Sequence, residues 1–459
     1  MFNVALSFDI ISRVVEIGGR MACFYFIDGF CKDEVMEKII ANLYHIPSDK
    51  MPETACDFLK TALSYGEIDL VTTKNDLIQR LLSGVPILIV EGYNEFLAMD
   101  IRTYPARGVM EPETDRVMRG SRDGFVETIV FNTALIRRRV RTPDLVMEMH
   151  TVGNSSRTDV VISYLGTRVN KKMLNDIRKR VDSIDIDALT MNQQSLAECL
   201  YKHTWFNPFP KFKFSERPDA TAAAILEGDI VILVDNSPAS IILPTSIFDI
   251  NEDADDYYFA PITGTYLRFT RFIINVAAIL LTPTFLLLVN HPEWLPSWLE
   301  FIKIDDALNV SILVQFLILE FAIDGLRMAS LNTPNMLSMP LSIVAGIVLG
   351  DYTVSSGWFN KEVMLYMAFV AVANYTQISI ELGYALKFMR IILLCLTAIF
   401  GIYGFIGGLL FIMLCIAFNK TMVGRSYLYP LYPFNKKQFF RRFFRISLPH
   451  NDEIQKENN

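Results

Sequence analysis

Five apolar segments crowd the chain after residue 270, at 272–290, 308–330, 336–350, 363–386 and 391–418, and they constrain the fold more than any other feature. A membrane span needs about 20 predominantly apolar residues, a length that four of the five supply. The third, 336–350, is short, with Pro334 and Pro340 near its start, and reads as a half-length or re-entrant element. No uncharged run before residue 260 approaches span length. The predicted fold class is therefore α+β cytoplasmic N-terminal domains followed by an all-α polytopic transmembrane domain.

Charge sets the expected sidedness. The start, MFNVALSFDI, has no basic region and meets Asp9 before a signal core could form, so no cleavable signal is expected and the N-terminal half is expected in the cytoplasm. The tail carries Arg425, Lys436, Lys437, Arg441, Arg442 and Arg445, and basic residues flanking spans stay cytoplasmic. Both ends on one side require an even number of crossings. That parity is met if 336–350 does not cross, the favoured reading. It is also met if 391–418 turns back at the glycine-rich 401–408, which would keep Lys387 and Arg390 inside.

The first 260 residues read as mixed α/β. A hairpin is expected at 14–27 around Gly18-Gly19, a pair that tolerates φ > 0. Helical spacing places Met36, Ile39, Ile40 and Leu43 on one face of 33–43, and Thr73 caps a second helix that Gly84 closes. VPILIVEGY and FLAMDIRTY read as strands that open a second module near Val85. That module is expected to hold a helix from Asp123 to Arg139, strands at 145–152 and 159–165, helices at 171–181 and 189–204, and a hairpin turning at 235–238. The predicted domains are 1–84 and 85–265, both cytoplasmic α/β, 266–418, transmembrane, and 419–459, a basic cytoplasmic tail.

Ionisable groups at membrane depth cost roughly 2.5–3.5 kcal/mol each on insertion scales and normally face a bundle interior or a watery path. Glu320, Asp324 and Arg327 fall at i, i+4 and i+7, on one stripe of the second apolar segment. Either the stripe is a functional seam, or Arg327 snorkels to the interface and pairs with Asp324, leaving Glu320 to explain. Asn374, Gln377 and Glu381 form a second stripe, read as interhelical hydrogen bonding or as part of an ion path. Gly401, Gly404 and Gly408 make a small-residue ridge suited to close packing. Arg137, Arg138 and Arg139 end a predicted helix, where cations suit the helix dipole or dock an acidic partner or anionic lipid. The acidic stretch 249–256, DINEDADD, is a solvated linker or a vestibule that concentrates cations. It mimics the start of a calcium loop but lacks the turn glycine and the closing glutamate.

Six cysteines are scattered without CxxC or metal spacing, and the five histidines are isolated. No catalytic motif is present, so no enzyme, cofactor or metal site is expected. A net charge of −7 without a basic, aromatic-interleaved patch argues against nucleic acid as a partner.

Four blocks carry a resemblance. RGSRDGFVETIVFNTALIRRR (119–139), FSERPDATAAAILEGDIVILVDNSPASIILP (214–244), DDYYFAPITGTYLRFTRF (255–272) and LYPLYPF (428–434) resemble the A subunits of spore germinant receptors, the GerA family, from about residue 10 to about 448. The long charged N-terminal extension of many nutrient-receptor A subunits is not seen, a trait similar to the branch called stage V sporulation protein AF. The resemblance implies a spore inner-membrane protein with its N-terminal domains facing the core. It further implies a homo-oligomer, a pentamer, that conducts monovalent cations early in germination beside other germination membrane proteins. For the AF branch the implied role is amplifying ion release. Two alternatives remain, a non-conducting scaffold of the germination machinery and a nutrient-sensing receptor A subunit. A carrier is disfavoured, because no internal repeat of interrupted helices is found.

Overall fold

The computed structural model describes residues 7–103, 111–112, 115–201, 206–304, 309–332, 346, 352–419, 421–422 and 426–446. The chain forms two units, one of residues 1–203 with 212–245, the other of 204–211 with 246–459.

The first unit holds two five-stranded antiparallel sheets. In one, β1 (Ile10–Ile17) and β2 (Arg20–Ile27) form the expected hairpin, with Gly18 and Gly19 at φ 55° and 76°, as the two central residues of a type I′ turn require. The remaining strands are β3 (Ile68–Val71), β4 (Ile87–Val90) and β5 (Phe96–Met99), in the order β1-β2-β4-β5-β3. Strand alternation then builds two cores. Ala22 and Phe24 join Met36, Ile39 and Leu43 of α1 (Asp33–Tyr44), while Ile27 joins Leu77 and Leu81 of α3 (Lys74–Leu82). Thr73 caps α3 as expected, and α2 (Ala55–Thr61) lies between the two helices in sequence. A boundary near Val85 does not fit this sheet. β4 pairs with β2 and β5 with β3, so the strands expected to open a second module are central to the first. A lone β1–β2 hairpin is marginal in water, and its long-range partners leave no local mark in the sequence.

The other sheet runs β6-β7-β9-β10-β8, with β6 Leu145–Val152, β7 Thr158–Leu165, β8 Lys213–Ser215, β9 Ile230–Val234 and β10 Ser240–Leu243. It carries α4 (Ile129–Arg139), α5 (Lys171–Asp182), α6 (Asn192–Leu200) and α7 (Pro218–Glu227). The helix expected from Asp123 begins only at Ile129, and Asp123 does not cap it. Its carboxylate is drawn to Arg139, and the first turn is met instead by Asp235, whose Oδ1 accepts the Ile129 N–H at 3.1 Å. On β6, Glu148 accepts from Arg178 Nε at 2.7 Å and from the Tyr164 hydroxyl, tying α5 to the sheet. Burial alone would raise the Glu148 carboxyl, but the His150, Arg178 and Tyr164 groups around it hold it down at about 2.

The second unit holds α8 (Ile247–Ile250), α9 (Asp255–Tyr258), α10 (Pro261–Asn290), α11 (Ile312–Asn332), α12 (Lys361–Tyr375), α13 (Ile380–Ala417) and α14 (Lys436–Phe443). By length and composition α10 and α13 are long and apolar enough to cross a membrane. The segment 363–386 is not one helix. α12 stops at Tyr375, and α13 starts afresh where Ser379 Oγ accepts the Leu382 N–H. α13 itself is interrupted at Gly401 (φ 57°, ψ −133°), and its second arm folds back on its first. A Cβ on Gly404 would lie 1.9 Å from the Leu396 carbonyl oxygen and one on Gly408 2.6 Å from the Leu393 side chain, approaches impossible along a straight helix. The segment 336–350 lies, apart from Gly346, outside the described residues.

Candidate functional site

The apolar faces of α10, α11 and α13 enclose three charges and hold a fourth, that of Asp324, at their partly exposed edge. α11 sets Glu320 and Asp324 one turn apart, and the first arm of α13 sets Lys387 and Arg390 on one face opposite them. The Arg390 Nε donates to Glu320 Oε1 at 2.7 Å, and its Nη1 reaches the Ala278 carbonyl of α10 at 2.9 Å. Lys387 Nζ lies 3.3 Å from Glu320 Oε2, donates to the Glu320 carbonyl at 3.1 Å and pairs with Asp324. Arg390 is 0% exposed, and Glu320 and Lys387 are each 5% exposed. Two acids facing two bases leave no net charge, which is the condition under which burial is sustainable.

Glu320, Asp324 and Arg327 do share a face, and that face is turned to α13. Arg327, however, does not pair with Asp324 in this cluster. Its guanidinium lies over the Tyr384 ring, 5.3 Å from the centroid. In the sequence Lys387 and Arg390 stand out only as charges between two apolar runs, where they mark the end of a span. The helix instead passes through them, because their partners wait on α11.

Asn374, Gln377 and Glu381 do not form one helical face. Asn374 ends α12, Gln377 lies in the connection, and Glu381 opens α13. The connection is nonetheless polar. Gln377 Nε2 donates to Asn275 Oδ1 at 2.5 Å, and Asn275 Nδ2 donates to Asn251 Oδ1 at 3.0 Å. Glu381 is half-buried and has no hydrogen bond or ion pair among the described residues. Near it the fully buried Tyr427 hydroxyl is pushed up, first by burial and then by the charges of Glu381 and Asp249.

The acidic stretch 249–256 is neither a solvated linker nor a vestibule of free carboxylates. Asp256 is wholly buried between Arg268 and Arg271, Glu252 is held by Arg268 and Arg442, and Asp249 by Arg442 at 2.5 Å. Burial pushes the Asp256 carboxyl up, against the pull of Arg271 and Arg268. Arginines that follow in sequence, on α10 and α14, cancel a charge that looked free. The triplet at the end of α4 is likewise dispersed. Arg137 is buried against Asp9 at 2.9 Å, Arg139 pairs with Asp123, and only Arg138 is exposed. Among the described residues no group of three or more His, Cys, Asp or Glu side chains could hold a metal ion.

Over residues 2–456 the sequence matches the family described as Bacillus/Clostridium GerA spore germination protein. It is 35% identical to stage V sporulation protein AF of Bacillus subtilis (strain 168), over 97% of this chain and 90% of that protein. It is 26% identical to spore germination protein KA of the same organism, over 97% of this chain and 82% of that one. The crystal structure of the N-terminal domain of the A subunit of the Bacillus megaterium spore germinant receptor GerK3 is 28% identical and covers 52% of this chain and 89% of its own, with a TM-score of 0.39.

Proposed function

The chain belongs to the GerA family of spore germination proteins, and on that premise we propose that it is a multi-pass protein of the spore inner membrane, both termini on the core side, and a subunit of a homo-oligomeric, pentameric channel that releases monovalent cations during germination. The observation that carries the conducting part is the polar connection between α12 and α13. Its hydrogen bond to Asn275 sets this stretch about one turn inside the start of the apolar run at Phe272, at the core-side end of the bundle, where backbone without helical hydrogen bonds is tolerated only if it is buried in protein or lines water. Beside this connection Tyr375 is 63% exposed and Thr376 is exposed, so this chain alone does not seal it. A neighbouring copy, or a watery path between copies, completes its surroundings. In this reading Glu381 sets cation occupancy, with Asn374 and Gln377 as neutral oxygen donors. Glu320 and Asp324, expected in the same path, are assigned to holding α11 on α13, because their charges are already neutralised.

Spores carrying Glu381→Gln, with protein at the native level by immunoblot, are expected to release K⁺ several-fold more slowly than native spores. Unchanged release from this variant, where deletion of the protein slows release, removes Glu381 from the path. If deletion leaves ion release untouched, the non-conducting scaffold is the correct reading. Loss of the nutrient response alone would mark a receptor A subunit.

A further inference from the structure

We propose that residues 431–445, helix α14 and the turn before it, lie on the bilayer surface and bind anionic lipid headgroups. The proposal rests on the membrane placement of α10 given above and adds a lipid partner to it.

Phe443 packs on Phe269 and Phe272, with ring centroids 6.3 and 6.1 Å away, and Phe444 packs on Phe269 at 5.5 Å. Phe272 is the first residue of the apolar run 272–290, and Arg268 and Arg271 just before it are turned to Asp256. α14 therefore lies beside α10 where that helix passes from charged to apolar. From there the run rises about 28 Å, close to the roughly 30 Å of a hydrocarbon core. Beyond its far end Trp294 and Trp298 are exposed, as interfacial tryptophans are.

One side of α14 is committed to protein. Arg442 pairs with Asp249 and Glu252, Arg445 donates to the Tyr257 carbonyl at 2.6 Å, and Arg268 donates to the Arg441 and Arg442 carbonyls. The other side leaves Tyr432, Phe434 and Phe440 exposed beside Lys436 and Lys437, which are exposed as well.

No acidic residue occurs between Thr421 and His450, in a chain whose net charge is −7. Aromatic rings that enter the acyl boundary, next to lysines that reach phosphate oxygens, fit an anionic bilayer better than they fit water. An acidic protein partner would match the lysines but would leave the depth of the rings, level with Phe272, without a purpose.

An eight-residue helix is marginal in water, so its amide protection reports what it is docked on. The full chain, placed in nanodiscs of phosphatidylcholine alone or mixed with phosphatidylglycerol, is compared by hydrogen exchange over 436–444. Exchange is expected to be slower in the anionic discs. The Lys436→Gln, Lys437→Gln double variant is expected to abolish the difference, at roughly fivefold for each lysine removed. Identical exchange of the native chain in both lipids overturns the proposal, as does a difference that survives the double variant. Unprotected amides over 272–290 in both discs would show instead that the placement of α10 has failed.

Discussion

Removing the charge at Glu320 leaves Arg390, wholly buried, with a neutral partner, and leaves Lys387 with Asp324 alone. Stranding a buried cation costs about 3–5 kcal/mol, so Glu320→Gln is expected to lower the unfolding temperature and the abundance of the protein. Glu320→Leu combined with Arg390→Met is expected to recover most of that loss, because apolar replacement of both partners removes the desolvation cost along with the attraction. Thermal unfolding in detergent of the native protein, Glu320→Leu, Arg390→Met and the double variant closes the cycle, and an additive double variant would dissolve the pairing. Glu320 was legible in the sequence because an ionised group inside an apolar helix declares its cost by itself. Its partners are not, since the residues that satisfy it lie 67 and 70 positions away, whereas the cation on its own stripe, Arg327, rests on an aromatic ring. Arg137 repeats the lesson. At a helix end it reads as a dipole partner, yet its carboxylate, Asp9, is 128 residues distant.

Three glycines of α13 rank themselves by what surrounds them. Gly407 has open space, so Gly407→Ala is expected to be nearly neutral. Gly401 holds φ 57° and ψ −133°, where an alanine is strained, and Gly401→Ala is expected to cost about 1–3 kcal/mol although its Cβ would meet nothing closer than 3.9 Å. Gly404→Ala is expected to be the worst, because its Cβ would collide with the Leu396 carbonyl and force the two arms apart. Protease resistance and unfolding temperature in detergent test the order, and a harmless Gly404→Ala would mean that the arms are not packed as described. At this scale periodicity served well for single elements, which is why α1, α3, α5 and the β1–β2 and β9–β10 hairpins were found within a few residues. It failed where an element is defined by something remote. β4 and β5 were detected as strands but assigned to the wrong module, and the division between 363–386 and 391–418 was drawn at charges that α11 neutralises.

The first unit completes its own cores around both sheets, so a protein of residues 1–245, in which only 204–211 lose their partners, is expected to be soluble, with a mixed α/β circular dichroism spectrum and cooperative unfolding. Its acid limb follows from Glu148. A carboxyl whose ordinary value of 4.5 falls to about 2 on folding contributes stability that is present above 4.5 and lost as pH falls through 2. Stability is therefore expected to decline across that window, less steeply in Glu148→Gln. Insoluble material, or a Glu148→Gln variant with the native acid limb, would count against this account. The Gly401 turn also bears on how such a chain is made. No charged residue lies between Arg390 and Lys420, and the link between the arms is one glycine. In the membrane placement proposed above, nothing hydrophilic then has to be hauled through the bilayer during biosynthesis. The translocon is offered the two arms as one closed object, and a nascent chain cut short at Gly401 would present a single arm with no mate to cover its packing face.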